Sequence, residues 1–147
     1  VSNWTIGAGA CVAFACDFRV ATPLTRISFP EVDRGMHLSW GIIPRLMYEC
    51  GAPLTRRLSM LGDPVAVEEF PPDVFTVTAS AREVAIDFIR QLAEKPASAL
   101  AAIKGAIAEE TRASTAYQAG DIRRFTETVA SQDFLDAMAA WFEDRKR

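Results

Sequence analysis

The spacing of apolar positions changes several times along the chain. Trp4-Thr5-Ile6 predicts the end of a buried strand. Gly7-Ala8-Gly9-Ala10 follows as a turn of small residues. The apolar run Cys11-Val12-Ala13-Phe14-Ala15-Cys16 then predicts a short buried helix stopped at Asp17. Phe18 to Ala21 favours a strand that Thr22-Pro23 breaks, and Ile27-Ser28-Phe29 predicts another, ended by Pro30. From Glu31 to Gly41 neither period holds, and Gly35, Ser39 and Gly41 let the backbone bend, which predicts a loop around His37 and Trp40. Leu46, Met47 and Cys50 predict a short helix stopped by Gly51, and Leu54 to Leu61 a second stopped by Gly62.

The stretch from Asp63 to Ser80 is the least regular. Pro64, Pro71 and Pro72 argue against a long helix, and Val74 to Thr78 predicts one strand. Ser80 and Glu83 are spaced as a capping box, opening a helix whose face carries Val84, Phe88 and Leu92 and which ends at Lys95-Pro96. Three further stripes follow at helical spacing: Leu100-Ile103-Ile107, Ile122-Phe125-Val129 and Phe134-Met138-Trp141, with breaks expected at Gly120 and Asp133. These stripes are faces for the core or for other subunits. The pattern is a small α/β part followed by a helical tail.

Composition narrows the function classes. Half of the 147 residues are hydrophobic, enough for a sizeable core, and the net charge of −3 provides no basic footprint for nucleic acid or an anionic membrane surface. No apolar stretch reaches the roughly 18 residues of a membrane span, and no basic segment precedes a cleavable apolar run. The expectation is a cytoplasmic protein with neither nucleic-acid nor membrane partners. Cys11, Cys16 and Cys50 are odd in number and lack the C-x-x-C spacing, so they read as reduced thiols, with no metal site.

Three readings fit the turn at Gly7-Ala8-Gly9. As a dinucleotide cradle it lacks the third glycine, because position 12 is the β-branched Val12. As a helix start its amides can stabilise an oxygen that becomes negative during reaction. As a plain tight turn it needs small residues only for packing.

The order and spacing of W-T-I-G-A-G-A-C-V-A-F-A-C-D-F-R-V-A-T, then I-S-F-P-E-V-D-R-G, then W-G-I-I-P-R-L decide among them, because together they resemble the enoyl-CoA hydratase/isomerase family, the crotonases. Similarity continues through Leu92 to Pro96, Lys104, and the segment from Phe134 to Lys146. The resemblance implies an α/β fold, a crotonase-like spiral of β-β-α turns that here lacks its N-terminal part: residues 1–95 would belong to the spiral and residues 96–147 to a helical trimerisation region. It also implies an acyl-CoA thioester as substrate, coenzyme A entering only as part of that substrate with no other cofactor, and a homo-oligomer, either a trimer or a dimer of trimers.

The family's site residues map onto this chain as follows. The middle residue of the Gly-rich turn, one oxyanion donor through its amide, falls on Ala8, between Gly7 and Gly9; the second donor comes from a loop upstream of these motifs. Of two hydratase glutamates only the one in the Pro-Glu segment is kept, as Glu31, while Cys11 stands where the other would be. A thiol with an ordinary pKa near 8.5 is a poor carboxylate substitute, so a single glutamate suits proton shuttling of the isomerase type better than addition of water. Gly35, His37 and Trp40 belong to the loop that would shape the acyl site, with Trp40 where the family has small residues. His37 also reads as an ordinary loop histidine, and Arg145-Lys146-Arg147 either meets coenzyme A phosphates or is simply solvated. The segment from Gly62 to Ser80 departs from the family and is expected to take its own path. A competing reading is a non-catalytic acyl-CoA-binding or oligomerisation module.

Overall fold

The computed structural model describes residues 1–111 and 115–145. Its first strand, β1 (Trp4–Ile6), runs parallel to β3 (Arg26–Ser28) with Thr5 opposite Ile27, and β3 runs antiparallel to β4 (Val65–Ala66) with Ile27 opposite Val65. A separate two-stranded ladder joins β2 (Val20–Ala21) in parallel to β5 (Thr76–Val77). Strand β1 is not buried as a whole. Its side chains alternate, with Thr5 inward and Trp4 and Ile6 61% and 47% exposed, because the pleat sends successive residues to opposite faces.

Helix α1 (Ala8–Ala15) is apolar all round yet buries only one side, through Ala10, Ala13 and Phe14, while Val12 is exposed. Phe14 is the centre of the core: its ring lies 6.3 Å from Phe29, 6.1 Å from Phe70 and 5.8 Å from Phe75, the last edge-on. Burying one such side chain contributes about 1.5–3 kcal/mol, and tilted ring pairs add to that. Ile27, Leu46, Leu58 and Val65 are fully buried beside it.

Two arginines fix the far end of α1. Arg45 Nη1 donates to the Phe14 carbonyl at 2.8 Å and Arg19 Nη1 to that of Cys16 at 2.9 Å, covering acceptors that the last turn leaves open, with positive charge at the negative end of the helix. Arg19 also pairs with Glu49 and donates through Nε to Val74 O at 3.0 Å, which ties α1, the helix that carries Glu49 and the approach to β5 together. Burial pushes the Glu49 carboxyl above the ordinary glutamate value, and Arg19 and Arg45 offset part of that.

Helix α2 (Ile42–Arg56) is interrupted at Gly51 (φ 74°, ψ 167°), where the sequence predicts a stop, and it runs on through a wide π-type turn at Arg57–Leu61 to Gly62. The irregular segment supplies β4, which the apolar pattern does not announce, then a 3₁₀ turn at Val67–Glu69. Of the strand expected over Val74 to Thr78 only Thr76 and Val77 pair; Val74 and Phe75 turn into the core instead.

Among the described residues four helices follow α2: α3 (Ala81–Ala93), α4 (Ala97–Thr111), α5 (Thr115–Val129) and α6 (Gln132–Asp144). Two expected details change. Ser80 makes no side-chain cap, so the Ser80/Glu83 capping box does not form. Gly120 does not break a helix but lies within α5, and the break near Asp133 falls at Ser131, whose hydroxyl caps α6 by accepting from Phe134 N at 3.2 Å. The stripe on α4 stays exposed at Ile103 and Ile107, so it does not pack on the core.

Candidate active site

The site is built where β1 hands over to α1. Gly7 N donates to Ser28 O at 2.9 Å, prolonging the β1–β3 ladder by one bond, and Gly7 then turns the chain with φ 53° and ψ −120°. Helix α1 begins at once. The first amide to find an acceptor within it is that of Cys11, to Gly7 O at 3.0 Å, so those of Ala8, Gly9 and Ala10 come too early for an intrahelical carbonyl. Gly7 is buried, whereas Ala8 and Gly9 are exposed.

Glu31 lies against this turn. A Cβ added to Gly7 would sit 2.8 Å from Glu31 Oε1, so hydrogen at position 7 is what admits the carboxyl group. The other oxygen, Oε2, is buried with no hydrogen-bond partner. Burial pushes the Glu31 carboxyl above the ordinary value of 4.5; a backbone N–H and the charge of Arg34 pull the other way without cancelling it. Cys11, on the first turn of α1, feels the same surroundings. Burial and the neighbouring Glu31 charge raise its thiol to about 11, so it is a neutral thiol near pH 7.

Glu31 is held from both sides. It opens the 3₁₀ turn Val32–Arg34, in which Glu31 O accepts from Arg34 N at 3.0 Å and Met36 N at 2.9 Å. On one flank Gly62 packs on Val32 and Asp33; on the other Gly35 meets the start of α6. Gly35 is therefore a docking point for that helix.

His37 reaches away from Glu31 toward α5. Its Nε2 lies 3.1 Å from Asp121 Oδ1 and 3.4 Å from Arg124 Nε, and its backbone N–H donates to Thr128 Oγ1 at 3.0 Å. The two contacts at Nε2 are alternatives: protonated, it donates to Asp121; unprotonated, it accepts from Arg124. Asp121 is 4% exposed and its Oδ2 accepts from Gly41 N at 3.2 Å. Trp40, between these two tethers, has a left-handed backbone (φ 63°), is 71% exposed, and borders a cavity of about 210 Å³ together with Cys11, Gly41 and Arg45.

Thus the structure brings Gly7, Ala8, Gly9, Glu31 and Cys11 together and places Trp40 on the border of the cavity that Cys11 lines, while Gly35 and His37 make helix contacts. Asp121 is the residue that the apolar pattern misses. Arg145 lies over the Trp141 ring, 4.0 Å from its centroid; Lys146 and Arg147 lie outside the described residues. Among the described residues no three His, Cys, Asp or Glu side chains gather as a metal ion would need, and no helix is long and apolar enough to cross a membrane.

The family model for enoyl-CoA hydratase/isomerase matches residues 1–147. A 2,3-dehydroadipyl-CoA hydratase of Escherichia coli (strain K12) is 26% identical over 152 residues, covering 99% of this chain and 59% of that protein. The ethylmalonyl-CoA decarboxylase of Homo sapiens is 40% identical over 52 residues, 35% of this chain and 17% of that one. Among solved structures, an enoyl-CoA hydratase from Mycobacterium avium subsp. paratuberculosis K-10 superposes with a TM-score of 0.87 at 18% identity, over 97% of this chain and 61% of the other. A carnitinyl-CoA hydratase from Mycobacterium avium gives 0.85 at 21% identity, over 96% and 57%. The fold is thus crotonase-like, and the chain spans about three-fifths of the length of the hydratases it matches. The chain belongs to the enoyl-CoA hydratase/isomerase family.

Proposed function

We propose that this chain acts on acyl-CoA thioesters, with Glu31 as the proton-shuttling acid/base and the Ala8 N–H as one donor to the thioester oxygen. The observation that carries the reading is the contact between the Glu31 carboxyl and the Gly7 turn. It sets a proton-carrying group beside a helix start whose early amides point to an incoming oxygen, so the enolate and the proton it exchanges would meet at one place. The names of the two sequence relatives, one a hydratase and one a decarboxylase of CoA thioesters, support the substrate class.

The chemistry that suits this arrangement is transfer of a proton between carbons. Deprotonated, Glu31 takes a proton from a carbon next to the thioester carbonyl or its vinylogue; the oxyanion donor carries the developing charge, and the protonated Glu31 returns the proton at the other carbon. A carboxylate whose pKa is raised by burial is a stronger base, which favours the abstraction step. Cys11 adds no second carboxylate, and this is the argument against a water-adding pair of glutamates. Assembly through the exposed apolar stripe of α4, as a trimer or dimer of trimers, is part of the same proposal.

The test is Glu31→Gln, assayed with short 3-enoyl-CoA and 2-enoyl-CoA substrates while binding of a saturated acyl-CoA is followed by calorimetry. Loss of about 10²–10⁴-fold in turnover with binding retained is expected. Turnover equal to the wild type would overturn the assignment of Glu31. A second reading, acyl-CoA binding without catalysis, is favoured by the neutral thiol of Cys11; it predicts wild-type binding with no turnover of either substrate.

A further inference from the structure

The loop from Gly35 to Gly41 is held by α5, and one side chain does most of the holding. Asp121 is almost fully buried, and its two oxygens engage His37 Nε2 and Gly41 N, at 3.1 and 3.2 Å. These partners bracket Trp40. Trp40 is held in a left-handed conformation that residues other than glycine rarely adopt, so its neighbours must impose it. Trp40 thereby borders a cavity that Cys11 also lines, and Cys11 is the neighbour of Glu31. Its volume, about 210 Å³, lies below the roughly 300–1,000 Å³ of pockets for drug-sized ligands.

We propose that Asp121 is a positioning residue that sets the acyl-chain length limit by holding Trp40 on the border of the cavity beside Cys11. The proposal rests on the acyl-CoA reading above and adds the element that fixes the far wall of the acyl site. Asp121 acts through the His37 side chain and the Gly41 N–H, not on the substrate itself. An asparagine at 121 keeps an oxygen for Gly41 N, and its amide N–H₂ can donate to an unprotonated His37 Nε2, so it preserves both tethers; an alanine preserves neither.

The experiment measures calorimetric affinity of the full chain for saturated acyl-CoAs from acetyl to octanoyl. For the wild type and Asp121→Asn, affinity should stop rising with length once the cavity is filled. For Asp121→Ala it should keep rising, by about fourfold for each added methylene, the value of one buried CH₂ group. Trp40→Ala, which removes an exposed side chain, should give the same lengthened profile and serves if Asp121→Ala does not fold. A purely structural role for Asp121 would lower affinity equally at all lengths. That outcome, or an unchanged profile in Trp40→Ala, would overturn the proposal while leaving the acyl-CoA reading intact. Absence of binding to every acyl-CoA by the wild type would instead overturn the reading on which it rests.

Discussion

Replacing Gly35 by alanine separates two costs that coincide at this position. The first is conformational: φ is 64°, in the left-handed region that charges an L-residue about 1–2 kcal/mol. The second is steric. A Cβ at position 35 would stand 2.9 Å from Phe134 N, 3.0 Å from Phe134 Cα and 3.1 Å from the carbonyl carbon of Asp133, all backbone atoms at the start of α6. No rotamer relieves such contacts, so α6 must move away from the turn that carries Glu31, and overpacking of this kind costs about 1–3 kcal/mol. Gly41 supplies the control. Its φ is 66°, but an added Cβ meets nothing within 4 Å, so Gly41→Ala carries the conformational cost alone and keeps the N–H that Asp121 accepts. The gain from restricting the unfolded chain is common to both variants and cancels. Urea unfolding at constant m should show about 2–5 kcal/mol lost in Gly35→Ala and about 1–2 kcal/mol in Gly41→Ala. Equal losses would refute the claim that close packing of α6 on Gly35 positions the Glu31 turn.

Two further predictions concern the titrating groups. Because the native Glu31 carboxyl lies above 4.5, the folded protein retains its proton over a range where the unfolded chain has released it; the stability this group contributes is complete below that value and is lost as pH rises through the raised one. Glu31→Gln should therefore lose stability less steeply than the wild type from about pH 4.5 upward in urea titrations, and parallel curves would contradict the burial argument. The three thiols should alkylate in the order of their surroundings: exposed Cys16 first, Cys11, raised to about 11, more slowly, and buried Cys50, raised to about 12, last, as read by peptide mass spectrometry; modification of Cys50 ahead of Cys16 would be inconsistent with the packing of α2.

Much of the fold is legible locally because its punctuation is local. Gly51 and Gly62 stop helical segments by adopting positive φ, which the chain order alone suggests, and the run from Trp4 to Cys16 reads as strand, turn and helix because its small residues lie at the hand-over. What the pattern cannot convey is which side of an element meets the core. Val12 and Phe14 are both apolar, yet only Phe14 is buried, since the rings of Phe29, Phe70 and Phe75 that receive it come from later segments. For the same reason β4 is missed: two residues, Val65 and Ala66, make a strand only because β3 already offers an edge.

The site divides along the same line. Gly7, Ala8 and Glu31 are recognisable because they lie in two short motifs, and β1–β3 pairing brings those motifs together through the Gly7–Ser28 bond. The tether on His37 and Gly41 is of another kind. Asp121 follows them by 84 and 80 positions, on a helix whose spacing marks it as just one more polar position between apolar ones. An aspartate almost never lies fully buried unless it is paired, so its burial is the informative observation, and burial exists only after α5 has docked. Trp40 completes the case: a tryptophan at positive φ contradicts local preference, and the contradiction holds only because the residues beside it, Gly41 directly and His37 nearby, are fixed from outside the loop.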